Sequence, residues 1–154
     1  MRNRLLMLLV SSVFASTLQA EKADGVDVVK GFFNAFGKGD MAGLIGSFHE
    51  KATINAVREG RRKPGEPYGT YKGRKGVEEF IQSLGAAFNT KEFNVENVIG
   101  SGDVVFANGR FKHELKSTGK IYESAWALKC VIKDGKIFTY DFYEDTAGFV
   151  EANR

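Results

Sequence analysis

From Asn108 to Phe149 the chain is three runs of alternating apolar and polar residues joined by two short glycine-bearing turns. Period-two alternation requires each run to bury one face and show the other, which is a property of sheet and not of helix. NGRFKHELKSTGK, IYESAWALKCVIKDGK and IFTYDFYEDTAGF therefore read as consecutive antiparallel strands. The turns fall at Ser117–Lys120 and Lys133–Lys136, where Gly119 and Gly135 can take positive φ. Strands are predicted at Val104–Leu115, Ile121–Ile132 and Lys136–Tyr143, preceded by one near Glu92–Ile99. Asp145 is placed to cap a last helical turn at Thr146–Ala152.

Helices come first. Val29, Phe32, Phe33 and Phe36 recur at helical spacing over Asp24–Phe36, and Gly37 and Gly39 end that helix. Asp40 can cap a second, glycine-weakened helix with Met41, Leu44, Ile45 and Phe48 on one stripe. A third, from near Arg74, offers Val77, Phe80, Ile81, Leu84 and Phe88. Between the second and third lie a short strand at Ala52–Val57 and a long polar loop, VREGRRKPGEPYGTYKG. Helices followed by hairpins make an α+β fold, a curved, mostly antiparallel sheet wrapped around three N-terminal helices and enclosing a pocket.

Alternation also assigns faces. Val105, Ala107, Gly109, Phe111 and His113 share one side of their strand; Ser124, Trp126, Leu128 and Cys130 share one side of the next; Phe138, Tyr140 and Phe142 share one side of the last. These bulky sets are expected inside, against the helices. The opposite face mixes small apolar residues with Arg110, Lys112 and Lys129 set against Glu123 and Asp141. Such a half-apolar face carrying both charge signs suits a twofold partner, so a homodimer through the outer sheet face is expected.

Residues 1–20 have the layout of a secretory leader: Arg2 and Arg4, an apolar run from Leu5 to Phe14, then small residues up to Ala20. The apolar run is too short to span a bilayer. Cleavage after Ala20 would leave a periplasmic or secreted domain of residues 21–154 with no stable membrane insertion. It removes two arginines and no carboxylate, so 22 Lys and Arg against 19 Asp and Glu becomes 20 against 19. A nearly neutral domain is not drawn to nucleic acid or anionic membrane by charge.

Few residues could carry chemistry. Cys130 stands alone in an apolar strand and reads as a small buried hydrophobe. Two distant histidines and one cysteine give no metal spacing, and no cofactor motif is present. His113, on the inward parity, is the one weak catalytic candidate, since imidazole shuttles protons near neutrality; His49 reads as a helix-end residue. Asn55, Ser124, Tyr140 and Glu144 are the other polar groups that alternation directs inward. Arg58, Arg61, Arg62 and Lys63 form a basic cluster that reads as a solvated loop.

FNAFGKGDMAGLIGSFHEKATI, GTYKGRKGVEEFI and the segment from Gly109 to Phe149, in this order and spacing, resemble the SnoaL-like, ketosteroid-isomerase-related branch of the nuclear transport factor 2-like superfamily. The resemblance implies a cone-shaped α+β barrel with an interior pocket, commonly dimerised through the outer sheet face. It fixes no activity, because isomerases, cyclases, epoxide hydrolases and binding domains share the fold. The family's catalytic positions fall here on apolar residues. The isomerase base matches Ala56, its first-helix tyrosine Phe32, and its buried acid a position near Leu128. The arginine and two aspartates of epoxide-hydrolase relatives match Gly109, Phe111 and Phe142. The expectation is therefore a domain that binds a small apolar or amphipathic molecule without the known catalytic sets. Its ligand would contact Phe32, Phe33, Asn55, Phe111, His113, Ser124, Trp126, Leu128, Tyr140 and Phe142. The alternatives are an isomerase, cyclase or hydrolase using His113 with Tyr140 or Glu144, and a dimeric interaction module.

Overall fold

Three of the described helices begin where an aspartate can satisfy their free N–H groups. In the computed structural model, which describes residues 24–64 and 66–154, Asp24 accepts from the Val26 N–H at 3.0 Å and opens α1 (Gly25–Lys38). Gly39, at φ 64, closes it in the left-handed conformation that glycine adopts without strain. Asp40 accepts from the Gly43 N–H at 2.9 Å and opens α2 (Met41–Gly46). Asp145 takes two N–H groups, from Ala147 and Gly148, and opens α4 (Thr146–Ala152). The third helix, α3 (Gly73–Ala87), has no such cap and is held by Val77 and Phe80 in the core. The expected leader lies outside the described residues, among which no helix is long and apolar enough to cross a membrane.

Six strands form one curved sheet: β1 (Phe48–Ala56), β2 (Gly69–Lys72), β3 (Phe88–Ser101), β4 (Val104–Leu115), β5 (Ile121–Lys133) and β6 (Lys136–Glu144). Their order is β2-β1-β6-β5-β4-β3, antiparallel throughout except for the parallel β1–β6 pair. The α+β class is as expected, but the sheet stays open, with β2 and β3 as edges. α1 lies over the inner face of β3 to β6, and α3 packs on β1.

Strand faces on β4 and β5 follow the alternation without exception, with Phe111, His113, Ser124, Trp126, Leu128 and Cys130 all buried. On β6 the expectation fails at one residue. The register steps from Val131↔Thr139 to Ile132↔Ile137, so Phe138 is the extra residue of a bulge. Ile137 is consequently buried and Phe138 is not, although Tyr140 keeps its inward place.

Three further boundaries differ from the sequence reading. β1 reaches back to Phe48, so Phe48 and His49 are strand residues and not the end of a helix. The His49 ring meets Phe138 at 5.3 Å and its Nε2 lies 3.6 Å from Asp134. Phe88 starts β3, and β2 forms inside what reads as polar loop, because Thr70 and Asn55 pair across it while Tyr71 is buried. The loop's cations are partly engaged, Arg58 with Glu66 at 2.8 Å and Arg62 with Glu79 at 2.7 Å.

Candidate functional site

Between the helices and the inner sheet face lies a cavity of about 350 Å3. Eight of its lining residues are phenylalanines, among them Phe32 and Phe33 from α1, Phe80 from α3, and Phe111 and Phe142 from the sheet. The rings brace one another. Phe32 stands edge-on to Phe33, Phe48 and Tyr140 with centroids 5.2, 5.6 and 5.7 Å away. Edge-to-face contacts at such distances are favourable beyond the area they bury, so the wall is pre-formed.

Among the described residues one carboxyl interrupts this surface. Glu144 ends β6, on the same parity as Tyr140 and Phe142, and pairs with Trp126 of β5. The chain turns directly after it: the Asp145 N–H donates to Ser124 Oγ at 2.9 Å while the Asp145 side chain caps α4. Glu144 Oε1 accepts a short hydrogen bond from the hydroxyl of Tyr68, which also lines the cavity. Tyr68 is fixed by a fully buried Pro67, by Gly69 at φ 126, and by the Phe149 ring at 4.6 Å. Burial pushes the Glu144 carboxyl up to about 7, against the Tyr68 and Tyr122 hydroxyls, which favour its ionised form. Burial likewise holds the Tyr68, Tyr122 and Tyr140 hydroxyls protonated, with pKa values raised.

His113 sits between Phe88 and Phe111, stacked at 4.8 and 4.2 Å, with its Nδ1 buried and unpartnered among the described residues. Burial pushes its pKa down to about 4, so the ring is neutral at neutral pH. Val57, just past β1, lines the cavity at φ 66. A β-branched residue is strained there, and its N–H is held by the Phe142 carbonyl at 2.9 Å.

Six residues expected at the ligand are in the cavity wall: Phe32, Phe33, Phe111, His113, Tyr140 and Phe142. Four are not. Asn55 is on the outer face, donating to Asp141 at 2.8 Å and accepting from Thr70 at 2.9 Å, because β1 buries Ile54 and Ala56 instead. Ser124 spends its hydroxyl on backbone, from the Asp145 N–H and to the Ala125 carbonyl. Trp126 lies behind the wall, stacked on Phe93 at 5.0 Å and on Phe142 at 5.5 Å, and Leu128 is 1% exposed beneath it. Sequence reasoning missed Tyr68, which stands in an aperiodic loop, and Phe93, whose strand is mostly exposed.

The positions that the resemblance assigns to the family's catalytic residues are apolar in space as well. Ala56 and Phe32 line the cavity, and Leu128 is behind it. Gly109 has no room for any side chain, since a Cβ there would lie 1.8 Å from the Asn94 carbonyl and 2.8 Å from Trp126. The cavity is nevertheless not free of proton-handling groups, because Glu144 reaches it from a position outside those sets. Among the described residues no three His, Cys, Asp or Glu side chains converge for a metal ion. Cys130 is fully buried with its thiol pKa raised, which leaves it inert.

No curated protein matches the chain in sequence. Among solved structures it resembles an NTF2-like protein of Burkholderia xenovorans LB400 at 22% identity and TM-score 0.73, over 87% of this chain and 98% of that one. It resembles a candidate SnoaL-like polyketide cyclase of Mesorhizobium loti at 20% identity and TM-score 0.62, over 76% and 96%. A candidate isomerase of Bacillus subtilis aligns at 19% identity and TM-score 0.67, over 83% and 91%. Likenesses at this identity speak for the fold alone. The profile of the SnoaL-like domain matches residues 29–140, most of the described chain, and the chain belongs to that family.

Proposed function

We propose that this SnoaL-like domain binds a small apolar or amphipathic molecule in its interior cavity, as a secreted or periplasmic protein. The observation that carries the reading is the cavity itself: about 350 Å3, aromatic-walled, with Glu144, Tyr68 and His113 as sparse polar contacts. Small-molecule sites run from ~300 to 1,000 Å3 and combine such a lining with a few orienting polar groups. Apolar residues at the positions that the resemblance assigns to the known catalytic sets favour binding over those chemistries.

A second reading is proton-transfer catalysis, and Glu144 favours it. A carboxyl brought to about 7 can both take and give a proton near neutrality, whereas His113 at about 4 is a poor base. We also propose a homodimer through the outer sheet face.

One preparation tests binding and catalysis together. The mature protein, purified from the periplasm, is expected to release a bound small molecule on denaturation, read by mass spectrometry, and to rebind it. Turnover on a panel of enones, epoxides and lactones that is abolished by Glu144→Gln would establish the catalytic reading. A protein that carries nothing and binds none of the panel defeats both.

A further inference from the structure

The charge of the cavity wall is one-sided. Among the described residues its lining contains Glu144 but no lysine and no arginine, and its histidine is neutral. Among the described residues, no cation pairs with Glu144. Among the described residues Tyr68 donates to it, and the Tyr122 hydroxyl, which bonds the Asp145 carbonyl at 2.6 Å, also favours its ionised form. A carboxylate can accept about four hydrogen bonds, so part of that capacity is left open. Eight phenylalanines among the described residues line the same cavity. An acceptor with spare capacity in an aromatic-walled cavity is complementary to an apolar cation, whose charge meets the carboxylate and whose body meets the rings.

Resting on the small-molecule reading above, we propose that the cavity takes an apolar amine, seating its ammonium on Glu144 and its hydrocarbon body among the phenylalanines, and that it rejects the matching carboxylate. The other groups facing Glu144 leave this polarity intact. Tyr68 from the loop before β2, Tyr122 from β5 and Tyr140 from β6 stay protonated, His113 on β4 stays neutral, and Asp145 at the α4 cap is acidic. An anionic ligand would therefore meet no countercharge among the described lining residues, and repulsion from Glu144 once it ionises.

Three isosteres test it by calorimetry on the mature protein at about pH 8: 1-naphthylmethylamine, 1-naphthylmethanol and 1-naphthoate. A charge-assisted hydrogen bond predicts that the amine binds roughly ten- to a hundredfold tighter than the alcohol, with naphthoate weakest. Glu144→Gln should erase the amine's advantage while moving the alcohol less than about threefold, the scatter of one neutral contact. On the wild type alone, amine affinity should fall as pH drops through about 7 and naphthoate affinity should rise, since Glu144 takes up its proton there. That profile decides the matter even if the variant does not fold. Naphthoate binding as well as the amine at pH 8, a flat pH profile, or an amine preference that survives Glu144→Gln overturns this inference and leaves the small-molecule reading standing. Failure of all three, the neutral alcohol included, counts against the cavity as a binding site and takes the inference with it.

Discussion

A buried histidine and a half-buried glutamate pull the stability of this protein in opposite directions. Folding raises Glu144 from 4.5 to about 7, so between those values the folded chain keeps a proton that the unfolded chain has released. Stability from this group falls as pH rises. Folding lowers His113 from 6.5 to about 4, so the unfolded chain holds the extra proton and stability falls as pH drops. Between about pH 5 and 6.5 the two slopes oppose, and the urea midpoint of the wild type should change little. Glu144→Gln should expose the histidine slope, with stability rising across that window by about 2 kcal/mol. His113→Asn should expose the reverse. Parallel slopes in the two variants would mean that the groups are not buried as described. Glu144 was legible as an inward residue from the parity of β6; its partner Tyr68 was not, because no periodicity runs through its loop.

At the scale of elements, capping connects the terminal helix to the cavity. Asp145 ties down the Ala147 and Gly148 N–H groups at 3.0 and 3.2 Å, and α4 lays Phe149 against Tyr68 and Tyr122. Asp145→Ala should cost ~0.5–2 kcal/mol in urea unfolding, the usual value of a lost cap. It should also loosen the Tyr68–Glu144 contact, lowering the affinity of any cavity ligand; an unchanged midpoint would remove the cap from the account. Strand existence and facing were readable wherever alternation ran unbroken, as on β4 and β5. Reading failed where a bulge shifted parity at Phe138 and where the short β2 owed its place to β1 and to no pattern of its own.

The whole molecule leaves apolar surface on the outer sheet face. Phe106 is 50% exposed, Ile99 66% and Tyr143 54%, on a face that also carries the Lys112–Glu123 and Lys129–Asp141 pairs. Such a patch, with both charge signs beside it, favours an isologous contact, and stable interfaces bury ~800 Å2 per partner. Light scattering at about 100 μM, above the dissociation constants of ordinary stable dimers, should give a dimer mass, and Phe106→Glu should give a monomer. A monomeric wild type would end the dimer proposal.

The alternation of Val104–Glu144 and the helical stripes before it were enough for the α+β class, the strand order along the hairpins and most of the inner face, because periodicity is a local consequence of backbone geometry. Tertiary structure alone settled which inward residues reach open space and which lie a layer deeper, as Trp126 and Leu128 do. It also settled that Glu144 meets Tyr68 across 76 residues of chain, for depth and long-range partnership depend on how the sheet curves over the helices and leave no mark in local sequence.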